Sequence, residues 1–441
     1  MKKNTYIILM FILFTGGACL AQNNSPLNSA ASKTWRFAVL GDTHIYSSDT
    51  VKEMIPYILK DSVDCVLVCG DLVEGGLNCS ADQLKAELND WVSVFSPLYQ
   101  SGIGIYPVRG NHEADARNSI TVWNSVFSGQ YALPAGGPAG EENLTYSFKH
   151  KNALFIGMDD YVRIHTVNES WLKARLDSNT LPHVFVFGHE PAFKVFHSDC
   201  LDDSVTARNN FWNSLAAGNV KVYFCGHDHF LDASLIDDGD GKSSNDIYQY
   251  LVGTGGGWLM QQYSNYNGNN SSFSPSRLFH KMEHGYAVVE ISGDGNNDLD
   301  VLITWKERTF NSSLSAYEYT ASPYIIRYSA NGNTLTKAEK NDSGIPRDFT
   351  LGQNYPNPFN PSTIINYSIP DGNGKNEGSG RHVALKVYDI LGREISTLYE
   401  GEKTPGTYSA NFDGAELPSG VYIYSLQSNA STLSKKMILM K

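Results

Sequence analysis

From Thr34 onward the chain alternates short apolar runs with segments whose apolar residues recur at helical spacing. Uninterrupted apolar runs bounded by turn residues predict buried strands, and the helical recurrence predicts amphipathic helices. Trp35 to Leu40, Cys65 to Cys69, Ile103 to Val108, Ala153 to Met158, Val184 to Phe187 and Val220 to Cys225 read as strands. Lys52 to Lys60 carries Met54, Ile55, Ile58 and Leu59 on one helical face, and Asp82 to Leu98 predicts a longer helix. Strands separated by helices predict an α/β sheet, and such sheets collect their sites at the carboxyl ends of the strands.

Beyond Ser243 the pattern changes. Ile247 to Val252, Tyr286 to Ile291 and Leu299 to Trp305 predict strands joined by glycine-rich loops. The run Gly253 to Gly257 predicts a close backbone approach, to a neighbouring strand or to a ligand. Asp294, Asn296, Asp298 and Asp300 have the look of a calcium loop, but Leu299 stands where the sharp turn needs glycine, so a polar hairpin is expected. A further break falls near Ser343-Gly344-Ile345-Pro346. After it come Thr363 to Ile369, Val383 to Tyr388, Glu394 to Leu398, Gly406 to Phe412, Val421 to Gln427 and Thr432 to Met440, short alternating segments that predict a small β-sandwich.

The length of 441 residues, 41% apolar, allows two or three domains with their own cores. The start is a leader: Met1-Lys2-Lys3 is basic, Tyr6 to Phe14 is apolar, and Cys19-Leu20-Ala21 has the small residues of a cleavage site. Residues 1–21 are expected to be a signal peptide, and 22–33 a polar linker. Acylation of Cys19 is the alternative, opposed by Gly16 where a branched apolar residue is preferred. No other stretch is long and apolar enough to span a bilayer. The net charge of −12 becomes −14 once Lys2 and Lys3 leave. That excess disfavours nucleic-acid binding by a basic surface. Cys65, Cys69 and Cys225 lie in strand-like runs and read as small buried hydrophobes. Cys79 and Cys200 lie in polar loops, and spacing leaves a disulfide between them open.

The candidate chemistry is carried by Gly41-Asp42-Thr43-His44, Gly70-Asp71, Gly110-Asn111-His112-Glu113, Gly188-His189-Glu190-Pro191 and Gly226-His227-Asp228-His229. Each follows a predicted strand. One Gly-Asp or Gly-His is common in turns; the ordered set is specific. Carboxylates, imidazoles and an amide oxygen suit two transition-metal ions held close together. His227 and His229 alternate on an extended segment and so reach the same side.

With these motifs, residues 34 to about 305 resemble a calcineurin-like metallophosphoesterase. The resemblance implies an α/β (α+β) four-layer sandwich, two central β-sheets flanked by helices. It implies that Asp42, His44 and His229 hold one metal, that Asp71 bridges to a second, and that Asn111, His189 and His227 complete it. The ions would be iron, manganese or zinc. His112 matches the family's non-ligand histidine, which contacts the phosphoryl group and helps protonate the leaving oxygen. Glu74 stands where purple acid phosphatases carry a tyrosine ligand, and the first motif has a histidine that they lack, which argues against that branch. The arginine of the family's protein phosphatases is absent at Gly75. The Glu74 carboxylate could instead orient His112, or be an exposed loop residue. Arg109 reads as a buried strand-end ion pair, and His165, His197, His280 and His284 as packing or substrate-contact residues.

The C-terminal stretch resembles the type IX secretion C-terminal sorting domain. The resemblance rests on Phe349-Thr350-Leu351-Gly352-Gln353-Asn354-Tyr355-Pro356-Asn357-Pro358-Phe359-Asn360-Pro361, on Val387-Tyr388-Asp389-Ile390-Leu391-Gly392-Arg393, on Leu417-Pro418-Ser419-Gly420-Val421-Tyr422 and on the basic end at Lys435 to Lys441. It implies a small immunoglobulin-like sandwich and passage through the periplasm to the outside of a bacterium with an outer membrane. A carbohydrate-binding sandwich is the rival, weakened because its aromatic residues read as core. The expected organisation is a catalytic domain over 34–310, its end and a linker over 311–348, and the sorting domain over 349–441. The expected function is hydrolysis of phosphate mono- or diesters by attack of a metal-bridging hydroxide, by a monomer whose partners are a phosphate ester and the secretion machinery. A nucleotide or lipid phosphodiesterase is a narrower alternative. A surface binding protein on an inactive fold is an alternative of another class, opposed by the intact motifs.

Overall fold

Each strand and helix predicted between Trp35 and Cys225 forms within a residue or two of expectation. The computed structural model describes residues 34–47, 49–260, 266, 272–311, 315–331, 335–336, 350–352, 354, 357–369, 381–403, 406–428 and 431–441. The expected signal peptide, the linker after it and the break near Gly344 lie outside these residues.

The strands are β1 (Trp35–Leu40), β2 (Cys65–Cys69), β3 (Gly104–Val108), β4 (Tyr146–His150), β5 (Ala153–Gly157), β6 (His183–Phe187), β7 (Val222–Cys225), β8 (Leu231–Asp237), β9 (Ile247–Val252), β10 (Ser274–Lys281), β11 (Gly285–Ile291), β12 (Asp300–Asn311), β13 (Ala316–Ser329) and β14 (Leu335–Thr336). The helices are α1 (Thr50–Lys60), α2 (Ala81–Gln100), α3 (Asn111–Ala114), α4 (Ser119–Val126), α5 (Glu169–Asp177) and α6 (Val205–Ala217). One seven-stranded sheet has the order β14-β13-β12-β11-β1-β2-β3, the other β10-β8-β9-β7-β6-β5-β4. Within them β1, β2 and β3 are parallel, as are β5, β6, β7 and β9.

Strand period sets the layers, because successive side chains point to opposite faces. Phe155 and Phe185 turn inward and meet Phe37 of the facing sheet at ring distances of 5.1 and 4.7 Å. Leu154, Ile156, Val184 and Val186 turn outward and pack with Leu172 and Leu176 of α5 and Phe211, Trp212 and Leu215 of α6. On the other side α2 is capped by Ser80, whose side chain accepts from Gln83 N, and buries Leu84, Leu88, Trp91, Phe95 and Leu98. The result is helices, sheet, sheet, helices. Arg109 is the expected buried ion pair: its Nε and Nη2 lie 2.7 and 3.0 Å from the Asp159 carboxylate.

The pattern hid β4, β8, β10 and β13. In β8 the buried positions include Asp232 and Ser234, which break the apolar alternation. Asp232 is paid for by Arg277 and His280, at 2.5 and 3.1 Å. His280 is therefore a packing histidine. The stretch 292–300 is a polar hairpin, with Ser292 N donating to Asp300 O. The disulfide left open between Cys79 and Cys200 is not formed; both thiols are buried and free.

Further on, β15 (Thr350–Leu351), β16 (Ser362–Ile369), β17 (Arg381–Asp389), β18 (Glu394–Lys403), β19 (Gly406–Asp413), β20 (Gly420–Ser428) and β21 (Ser431–Leu439) form two sheets, ordered β15-β16-β19 and β18-β17-β20-β21. Every pairing between neighbouring strands of the two sheets is antiparallel, and an isolated parallel bridge joins Phe359 to Leu439. Phe359, Ile365, Tyr367, Leu385, Val387, Phe412, Tyr424 and Leu426 share a separate core. Among the described residues no helix is long and apolar enough to cross a membrane.

Candidate metal centre

The loops that leave the carboxyl ends of five strands meet at one seam shared by both sheets. The first sheet contributes Asp42 and His44 after β1, Asp71 after β2, and Asn111 and His112 after β3; the second contributes His189 after β6, and His227 and His229 after β7. The seam is laced by backbone: Gly41 N donates to Val252 O at 3.1 Å, Asp42 N to Gly70 O at 3.0 Å, and Gly226 N to His189 O at 2.8 Å.

The motif glycines have a steric reason. A Cβ at Gly110 would stand 2.1 Å from Asp71 Oδ1, and one at Gly226 would stand 2.2 Å from Asp42 Oδ2. Each glycine lets its loop pass over the carboxylate of an earlier motif. The run Gly253 to Gly257 serves close backbone packing in the same way: Gly255 N donates to Gly41 O and Gly257 N to Asp42 O, at 2.8 and 2.9 Å. Asp42, His44, Asp71 and His227 all adopt positive φ, at 54°, 34°, 50° and 74°. Non-glycine residues there cost about 1–3 kcal/mol each, a strain that clusters at functional sites.

Asp71 is central. Its Oδ2 lies 3.5 Å from His44 Nε2 and 3.4 Å from His189 Nε2. Asp42 Oδ1 lies 3.4 Å from His229 Nε2, and Asn111 Oδ1 lies 3.1 Å from His189 Nε2. Asp42, His44, Asp71 and His229 each place a ligand atom within 4.8 Å of the others, and so do Asp71, His189 and His227. Asp71 belongs to both groups.

The donors fit transition metals. His189 Nδ1 and His229 Nδ1 each sit 2.8 Å from a backbone carbonyl, of Cys69 and Trp258. A carbonyl only accepts, so the proton stays on Nδ1 and Nε2 offers a lone pair to the seam. His44 Nε2 and His227 Nε2 are buried without a hydrogen-bond partner. Charge points the same way. Burial alone would lower the His44 and His227 pKa values, yet contacts with Asp71 and Glu74, and with Asp199 and Asp228, carry them up to about 11 and about 9. The carboxylates therefore demand positive charge, and metal cations satisfy that demand while leaving the imidazoles neutral.

His112 sits at the rim, a third exposed on its side chain, with Nε2 4.0 Å from Asp71 Oδ2. Its Nδ1 lies 2.5 Å from the Glu74 carbonyl oxygen. The backbone of Glu74, not its carboxylate, thus orients His112. The carboxylate lies 3.7 Å from His44 Nδ1 and accepts from Ser47 Oγ at 2.5 Å. These contacts with His44 and Ser47, against partial burial, hold its pKa down at about 2.

Several supporting residues carried no legible signal. Glu113 is buried and accepts from Leu72 N, Val73 N and Gly110 N, tying the β2 and β3 loops together. Asp160 accepts from His189 N and Glu190 N. Asp228 accepts from Phe196 N and His197 N, and lies 2.8 Å from His197 Nδ1. Asp199 reaches His227 Nε2 at 3.9 Å. His197 lies against His227, with ring centres 4.8 Å apart, and His165 is held by buried Glu190. His284 bonds the Thr254 carbonyl and reads as packing.

Residues 36–231 match the family described as calcineurin-like phosphoesterase. The match takes in every motif from Asp42 to His229. Residues 353–440 match the secretion system C-terminal sorting domain, a segment that marks a chain for export. The chain is similar to purple acid phosphatase 23 of Arabidopsis thaliana, 24% identical over 250 residues, 52% of this chain and 51% of the relative. It therefore spans about half the length of the curated relative it matches. A solved purple acid phosphatase, PPD1 from yellow lupin (Lupinus luteus) seeds, overlaps with 68% of this chain and 54% of that one, at 15% identity and a TM-score of 0.47.

Proposed function

We propose that the chain is an exported two-metal phosphoesterase that hydrolyses phosphate mono- or diesters. The observation that carries this reading is the sharing of Asp71 by two ligand groups, one completed by Asp42, His44 and His229, the other by His189, His227 and the Asn111 amide oxygen. A pair of iron, manganese or zinc ions held there would supply a water of lowered pKa and positive charge for the phosphoryl oxygens.

The chain's own residues do the rest. The Glu74 carbonyl fixes the His112 ring, so Nε2 faces the seam, where it can hydrogen-bond a phosphoryl oxygen and give a proton to the leaving oxygen. Glu74 keeps its charge beside His44 and holds that ring in place. Asp160 and Glu113 fix the backbone under His189 and Asp71 without touching substrate. Loading displaces protons from the imidazoles, so metal affinity should rise with pH through the neutral range. The sorting domain would carry the folded enzyme through the periplasm to the surface or medium.

The test is a hydrolysis panel on metal-loaded protein, with bis-p-nitrophenyl phosphate, p-nitrophenyl phosphate and nucleotides. Turnover that chelation abolishes and metal restores is expected. Two bound metal equivalents with no turnover of any ester would favour a binding protein on this fold.

A further inference from the structure

The hairpin from β8 to β9 turns through Asp237-Asp238-Gly239-Asp240-Gly241-Lys242-Ser243-Ser244-Asn245-Asp246. Both strands reach the seam at their other ends: β8 starts after His229, and β9 runs into Gly253. The turn is therefore about 20 Å from the metal centre along the strands.

Asp237, Asp238 and Asp246 each place a carboxylate oxygen within 4.8 Å of the others. Asn245 Nδ2 lies 2.5 Å from Asp238 Oδ2 and 3.3 Å from Asp240 Oδ2. Two cations face the turn. Lys242 Nζ is 3.2 Å from Asp240 Oδ2, and Lys221 Nζ donates to Ser244 O at 2.6 Å. Lys221 attracts Asp246 through space but makes no direct ion pair with it.

An acidic turn by itself means little, since water solvates exposed carboxylates well. Asp246 sets this one apart. It is only 6% exposed; its carboxylate accepts a backbone hydrogen bond from Asp238, but its Oδ1 is buried with no hydrogen-bond partner. The neighbouring Asn245 Oδ1 is likewise buried and unpartnered. A buried carboxylate oxygen that faces two more carboxylates is costly unless a cation joins them. The donors are all oxygen, on a turn whose glycines take φ of 77° and 76°. Hard, flexible oxygen donors suit calcium, unlike the nitrogen-rich seam.

We propose that residues 237–246 form a calcium site, with Asp237, Asp238 and Asp246 as carboxylate ligands, that clamps the far end of the β8–β9 hairpin. The site is separate from the metal centre and structural in role. Its affinity should be in the range of extracellular calcium modules, roughly 0.1–1 mM.

The test uses the full chain with its seam metals loaded and calcium removed. Calorimetric titration with calcium chloride should show one equivalent bound. The melting temperature should rise by about 3 °C at tenfold excess over Kd, and magnesium chloride should do much less. Asp246→Asn should weaken calcium binding at least tenfold and abolish the rise. Without calcium it should melt no lower than the parent, because it loses a buried charge that no direct ion pair matches. Its phosphoesterase turnover should be unchanged. Should Asp246→Asn fail to fold, exposed Asp237→Asn gives the same comparison. No calcium heat and no melting shift at about 10 mM would overturn the proposal, and so would a variant that keeps the parent's response.

Discussion

At the scale of the residue, we propose a seam that divides metal holding from proton transfer. Asp71 faces His44 and His189 at 3.5 and 3.4 Å. Asp71→Asn puts a neutral amide between two cations. It should lose most of one metal equivalent and nearly all turnover, as metal analysis beside a rate assay will show; two full equivalents with parental activity would remove Asp71 from the centre. His112 lies at the rim and is held through its Nδ1 by a backbone carbonyl. His112→Ala should keep both metals and lower kcat by about a hundredfold or more. The loss should shrink for esters with very good leaving groups, which need little protonation. An equal loss across a leaving-group series would count against the acid role. The ligand residues were legible because each follows an apolar run and a glycine. Asp160 was not, and the motif residues Glu113 and Asp228 carried no role, because a buried carboxylate that binds backbone N–H groups looks in sequence like any loop acid.

Among the elements, the β-strand ends act through the glycines that precede the ligands. Gly226→Ala would place a methyl group 2.2 Å from Asp42 Oδ2 and 2.7 Å from Cys69 O. Backbone φ is no obstacle there, so the effect is a steric displacement of the β7 loop from the β1 carboxylate. The variant should fold, bind metal at least tenfold more weakly, and lose most of its activity. A variant with parental metal content, measured after dialysis, would show that the two loops can part without cost. Strands of uninterrupted apolar residues such as β2 were plain in the sequence. Strands such as β8 were hidden, because buried Asp232 meets Arg277 and His280 from β10, a partner some forty-five residues away.

For the whole molecule, the aromatic and aliphatic core of β15–β21 is separate from the two cores around the seam, and none of its residues enters either ligand group. A chain of residues 22–345 should therefore keep its metals and its phosphoesterase activity in vitro, since a sandwich with its own core shares little with its neighbour. In the native host the same deletion should leave enzyme in the periplasm. Loss of metals and activity on truncation would place the boundary elsewhere. The sequence by itself marked the candidate ligand motifs, that they follow strands, and that an all-β segment comes after them, because apolar period and turn glycines are local properties. The resemblance implied that Asp71 bridges; only the tertiary structure set the ends of two different sheets against one seam, put Asp71 in both ligand groups, and turned the Glu74 carbonyl to His112 and its carboxylate to His44. Those facts depend on strand order and on backbone contacts between residues far apart in the chain, such as Gly41 with Val252, and no local pattern encodes them.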